Sequence, residues 1–165
     1  MAECKNIMVY VETAEGNPVK VGLEMLSPAK KLADKVTAVV IGGGVADAAK
    51  EVAKAGADQV ICVDSEDYKE FNLDAYAQVL VELVKEENPE AVFVGGTQDG
   101  KDIAPVVAAK CNTGCASDVL DIKAEDGEVI YTCPLYGGTV LEDVKIKTTP
   151  QIATLRSGAF QKVED

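Results

Sequence analysis

A chain of 165 residues, 47% apolar and 27% charged, has the length of one ordinary domain and enough apolar surface to bury a core. Its 28 acidic residues against 16 basic ones give a formal charge of −12, which repels polyanions and leaves no basic stripe for nucleic acid. Apolar runs are far shorter than the roughly 20 residues of a membrane span, and Met1-Ala2-Glu3-Cys4-Lys5 lacks the apolar stretch of a signal peptide, so a cytoplasmic location without membrane insertion is expected.

Ile7–Val11, Val36–Ile41, Val60–Val63 and Ala91–Val94 are short apolar runs without polar alternation, as strands buried on both faces require. Between the first two, Val19–Asp34 carries Leu23, Leu26, Lys30 and Ala33 on one face and predicts a helix that Pro28 either kinks or restarts. Ala46–Ala55 ends at Gly56, and Leu73–Glu87 opens after Asn72 and stops at Asn88-Pro89, so both read as helices. Leu73, Tyr76, Ala77, Leu80, Leu83 and Val84 form one apolar stripe on the second. This alternation predicts an α/β fold, a three-layer parallel sheet with flanking helices.

After Lys110 the rhythm changes. Asp118–Lys123, Glu128–Thr132, Thr139–Ile146 and Gln151–Arg156 read as strands with no helix between them, and Glu125-Asp126-Gly127 is a hairpin signal. C-terminal antiparallel strands are therefore expected, as an added edge or a small second sheet. The polar tail Gln161–Asp165 reads as a linker stub.

The chain has no histidine, which removes the commonest metal ligand and the Ser-His and Cys-His nucleophile pairs. Cys4, Cys62 and Cys133 lie in or beside strand-like runs and are expected to be buried free thiols; Cys111 and Cys115 have neither redox nor zinc spacing. No metal site and no catalytic residue is expected.

The richest local pattern is Gly95-Gly96-Thr97-Gln98-Asp99-Gly100-Lys101-Asp102, between the strand Ala91–Val94 and a helix Ile103–Lys110 with Pro105 in its first turn. Glycines permit close backbone approach and a helix N-terminus favours anions, so Thr97, Gln98, Gly100 and Lys101 are candidates to hold the phosphate of an adenine nucleotide. The structural alternative has Asp102 capping the helix and standing in the anion's place, and it is preferred because the spacing matches neither the Walker A nor the Rossmann pattern. Gly42-Gly43-Gly44, followed by Asp47 at a helix start, is expected as a structural turn, and Tyr136-Gly137-Gly138 as a bulge or corner.

That turn, followed by Ile103-Ala104-Pro105, then Thr113-Gly114-Cys115-Ala116-Ser117-Asp118, Tyr136-Gly137-Gly138 and Pro150-Gln151-Ile152-Ala153-Thr154-Leu155-Arg156-Ser157-Gly158-Ala159-Phe160, resembles the electron-transferring flavoprotein α subunit. Ile7–Glu12 and Ala53–Val60 fit the same pattern, so the resemblance covers nearly the whole chain. It implies an N-terminal domain with an adenine-nucleotide-hydrolase-like fold over residues 1–160, a linker from 161–165, and a C-terminal domain, absent here, that carries FAD. It further implies docking to the β subunit, with acyl-CoA or other flavin dehydrogenases served by the complete heterodimer, and no enzymatic site in this part. The β subunit keeps a nucleotide, AMP or a second FAD, at the matching loop, whereas the α copy is generally empty; no cofactor is therefore expected here. Lys101, Val106 and Cys133 stand where the family often has arginine, which removes forks suited to phosphate or carboxylate. The alternative reading is an autonomous adenine-nucleotide-binding domain of the same superfold.

Overall fold

The computed structural model describes residues 3–163. β1 (Cys4–Tyr10) leads into a small ribbon of β2 (Thr13–Ala14) and β3 (Asn17–Pro18). The segment expected as one helix is two, α1 (Lys20–Glu24) and α2 (Leu26–Leu32), parted at Met25, and Asp34 already belongs to β4 (Ala33–Gly42). Pro28 is the third residue of α2, where its missing N–H costs no intrahelical bond, so it restarts the helix rather than kinking it.

α3 (Ala46–Lys54), β5 (Gln59–Asp64) and α4 (Leu73–Glu87) follow as expected. The Ala75 N–H donates to Asn72 Oδ1 at 3.0 Å, and Asn88 closes α4 in the left-handed region ahead of Pro89. Tyr76, Ala77, Leu80, Val81 and Val84 form its buried face. The remaining elements are β6 (Ala91–Gly95), α5 (Gln98–Lys110), β7 (Cys115–Val119), β8 (Asp121–Glu125), β9 (Glu128–Leu135), β10 (Val140–Val144) and β11 (Gln151–Leu155).

Six strands form a central sheet in the order β5-β4-β1-β6-β11-β7, every neighbouring pair parallel. Successive side chains of β1 point to opposite faces. Ile7 and Val9 join a core built with α1, α2, α3 and the second sheet, while Met8 and Tyr10 join one built with α4 and α5. Two apolar layers thus sandwich the sheet, and each fully buried large aliphatic chain contributes about 1.5–3 kcal/mol.

Three expectations are corrected, two of them at the C-terminal end. β11 is not an antiparallel strand; it inserts in parallel between β6 and β7, because Ile152–Leu155 are buried and need cover on both faces. Asp118–Lys123 is not one strand. Asp118 adopts φ +59, and the chain leaves the central sheet after β7 to begin a three-stranded antiparallel sheet, β10-β9-β8. Cys62 is exposed rather than buried, since β5 is the edge strand next to β4.

Other readings agree with the structure. Cys4 and Cys133 are buried free thiols, and burial, reinforced by Glu90, pushes the Cys4 thiol up to about 12. Asp126 and Gly127, both at positive φ, form the two-residue turn of the β8–β9 hairpin. Tyr136, Gly137 and Gly138, also at positive φ, make the corner between β9 and β10. Beyond β11, the Gly158 N–H donates to the buried Glu24 carboxylate at 2.9 Å and Phe160 packs on the core. Of the tail, Glu164 and Asp165 lie outside the described residues. No helix among the described residues is long and apolar enough to cross a membrane.

Candidate functional site

In an open parallel sheet, ligands bind beyond the carboxyl ends of the strands, where the strand order reverses. Here the chain moves from β1 outward to β4 and β5, then returns to place β6 on the other side of β1. The turn after β6 stands at this switch point.

Helix α5 starts at Gln98, five residues before the expected Ile103. Thr97, not Asp102, is its cap: the Gly100 N–H donates to Thr97 Oγ1 at 3.0 Å. Pro105 consequently lies inside the helix rather than in its first turn, with its side chain exposed to water. The glycines are explained by the protein's own packing. A Cβ on Gly100 would lie 1.8 Å from the Gly95 carbonyl oxygen, one on Gly95 would meet Val21 Cγ1 at 2.6 Å, and one on Gly96 would meet the Leu155 carbonyl oxygen at 3.0 Å.

The Thr97 hydroxyl that caps α5 is also engaged by an acidic side chain. Glu12, just past β1, accepts a hydrogen bond from Thr97 Oγ1 across 85 residues of sequence. Burial raises the Glu12 carboxyl above its ordinary range, the Thr97 bond works against that shift, and Asp99 adds to it. Of the four candidates, Thr97 and Gly100 share the helix cap, whereas Gln98 and Lys101 are exposed. Gln98 Nε2 reaches only Asp102 Oδ2, at 3.5 Å.

Beside this cap a cavity of about 310 Å³ opens over the ends of β1 and β4. Tyr10, Glu12, Glu15, Lys69, Tyr76 and Asp99 are among its walls, and none of Thr97, Gln98, Gly100 or Lys101 is. Three carboxylates, Glu12, Glu15 and Asp99, against one ammonium, Lys69, give these walls a charge that opposes a phosphate. In Gly42-Gly43-Gly44, expected as a structural turn, the Gly44 N–H donates to Asp64 Oδ1 at 2.7 Å, while Gly42 and Gly43 line the cavity. Among the described residues, no group of three or more histidine, cysteine or carboxylate side chains is placed to hold a metal.

Two features escaped sequence reading. Glu12 is a lone acid after a strand, with no local partner to mark it. Arg156, after β11, makes a two-pronged pair with Asp118 at the end of β7, and this hydrogen bonding holds the Asp118 carboxyl below its ordinary range.

The Glu12–Thr97 contact has a measurable consequence. Because the folded state binds the Glu12 proton more tightly than an unfolded chain does, Glu12 opposes folding progressively as pH rises from the ordinary carboxylate range through its raised value. Asp118 and Glu128, whose carboxyls are lowered by their basic partners, act in the opposite sense and lose stabilisation as pH falls. Denaturant titrations of wild type and Glu12→Gln from pH 4 to pH 8 are therefore expected to show the variant gaining on wild type as pH rises; a constant difference would contradict this. Thr97→Ala is expected to cost about 1 kcal/mol in the same assay.

The six-stranded parallel sheet with helices on both faces, its switch-point turn and the added three-stranded antiparallel sheet define an α/β domain. Residues 7–165 match the family model described as electron transfer flavoprotein domain, and the chain belongs to that family. It is 37% identical over 170 residues to the protein FixB of Clostridium saccharobutylicum, covering 99% of this chain and 51% of that protein. With the electron transfer flavoprotein subunit alpha of Clostridium acetobutylicum it shares 36% identity over 169 residues, 98% of this chain and 50% of the relative. The acryloyl-CoA reductase electron transfer subunit beta of Anaerotignum propionicum is 32% identical over 189 residues, with 97% and 52% covered. The chain thus spans about half the length of these curated relatives.

Proposed function

We propose that this domain is the docking scaffold of a heterodimeric flavoprotein electron carrier, holding the β subunit while electrons pass through flavin bound outside it. The complete carrier would take electrons from acyl-CoA or other flavin dehydrogenases. The observation that carries the reading is the tip of the β9–β10 hairpin. Leu135, Tyr136, Val140 and Leu141 are exposed there, Tyr136 at 84% and Leu141 at 60%, and they make up four of the five large exposed apolar side chains among the described residues. An aromatic anchor within an apolar group on a projecting corner is the composition of an interface centre.

The test is co-purification with the β subunit of an electron transfer flavoprotein of the same type. A complex is expected with wild type and its loss with Tyr136→Asp/Leu141→Asp, a change at exposed positions that leaves the circular dichroism spectrum and melting temperature unaltered. A complex that survives the double substitution, or no complex with wild type, overturns the reading.

A further inference from the structure

The cavity over β1 and β4 has a composition that docking does not use. Tyr10 is only 2% exposed and forms part of its wall. Every fully enclosed side-chain nitrogen and oxygen among the described residues has a hydrogen-bond partner, whereas the Tyr10 hydroxyl has none among those residues; it is therefore not fully enclosed, and the space that Tyr10 lines is this cavity. Burial and the neighbouring Glu12 raise its ionisation far above the ordinary range, so it stays a neutral hydroxyl able to donate or accept. Glu12 gives one oxygen, Oε2, to Thr97, leaving Oε1 for a donor. Asp99 comes in from the first turn of α5. Phe71 and Tyr76, in edge-to-face contact with centroids 5.0 Å apart, supply an aromatic wall.

We propose that this cavity binds a small organic cation bearing N–H donors, a guanidinium or a primary ammonium, held between Glu12, Asp99 and the Tyr10 hydroxyl beside the Phe71–Tyr76 wall. Carboxylates accept charge-assisted hydrogen bonds from such a group, and aromatic faces attract it further. The same carboxylates reject phosphate, so the site reverses the charge preference usual at this position of the fold. Lys69, the one base among the charged walls, is exposed and paired with Glu66 at 3.6 Å.

Binding is linked to pH. The other titratable groups facing Glu12 across the cavity are Glu15 at the ribbon, Lys69 at the rim, Asp99 on α5, and Tyr10 and Tyr76 on β1 and α4. A bound cation favours the charged form of Glu12, so affinity rises with pH through the titration of that raised carboxyl and levels off above it.

Calorimetric titration of the 165-residue chain with agmatine, which carries both a guanidinium and a primary ammonium, tests the proposal. Saturable one-to-one binding is expected, weakened about tenfold by Asp99→Asn and several-fold by Tyr10→Phe, both of which keep side-chain size. Glu12→Gln is expected to flatten the pH dependence. AMP should give no heat above dilution, and tetramethylammonium, which has no N–H, should bind more weakly than agmatine. Absence of saturable agmatine binding at millimolar concentration overturns the proposal. So does agmatine binding indifferent to Asp99→Asn and Tyr10→Phe, AMP binding in its place, or tetramethylammonium binding as well as agmatine. Since the hairpin tip is not part of this cavity, Tyr136→Asp/Leu141→Asp should leave agmatine binding unchanged, which separates failure here from failure of the docking reading.

Discussion

Gly100→Ala is expected to cost about 3 kcal/mol or more, enough to consume a large share of the ~5–15 kcal/mol that holds an ordinary domain together. Gly100 is the third residue of α5, and its α-carbon faces the end of β6. A β-carbon would lie 1.8 Å from the Gly95 carbonyl oxygen, 3.0 Å from its carbonyl carbon and 3.1 Å from Thr97 Oγ1. The first two are backbone atoms of an interior strand paired with β1 and β11, so they cannot swing aside. The helix N-terminus must move instead, breaking the Thr97 cap and the Glu12 contact with it. Gly44→Ala provides the comparison: Gly44 has φ +72 with no atom within 4 Å of the added carbon, so only the conformational penalty of about 1–2 kcal/mol applies. Urea unfolding of both variants checks the order. Equal midpoint shifts would mean that the strand-to-helix junction is looser than the structure shows.

The same junction shows what the sequence could and could not display. A glycine that brings a helix against a strand and a glycine that brings a backbone against phosphate look alike in one dimension. What distinguishes them is the neighbour across the gap, here Gly95 and Leu155 rather than a ligand. Helix α4 was legible to the residue, because Asn72, the three-and-four spacing and Asn88-Pro89 are all local signals. The start of α5 was not, since Gly100 has poor helix propensity and tertiary packing prevailed over it.

β11 was legible as a strand but not in its place. Its chain neighbours β8, β9 and β10 are antiparallel, and its insertion beside β6 depends on a pairing some 60 residues away in sequence. The candidate residues divided similarly. Thr97 and Gly100 met in one cap, while Gln98 and Lys101 remained outside the cavity that their loop borders. Glu12, Tyr10 and Asp99 come together only because β1 and α5 are brought side by side by the return of the chain through β6.

Tyr131→Ala is expected to have a comparably large effect, about 3–5 kcal/mol, the range for truncating a large buried aromatic. Tyr131 lies in β9 and is fully buried, yet its ring belongs to the core of the central sheet. It meets Phe93 of β6 edge to face with centroids 6.4 Å apart, and its hydroxyl donates to Gln151 Oε1 of β11 at 2.8 Å. One side chain therefore joins the antiparallel sheet to two strands of the parallel one. Tyr131→Phe keeps the ring contact and loses the hydroxyl bond, so its cost should be about 1 kcal/mol. The consequence extends to docking, because β9 also carries the exposed corner at Tyr136. If that corner binds the β subunit as proposed, Tyr131→Phe should bind like wild type, while Tyr131→Ala should weaken binding even at temperatures where circular dichroism shows the central sheet intact. Hydrogen exchange would report the difference directly, with β8–β10 amides losing protection in Tyr131→Ala before those of β1, β4 and β6. Uniform loss across both sheets would instead mark the two as one cooperative unit, with the hairpin's presentation governed by overall stability alone.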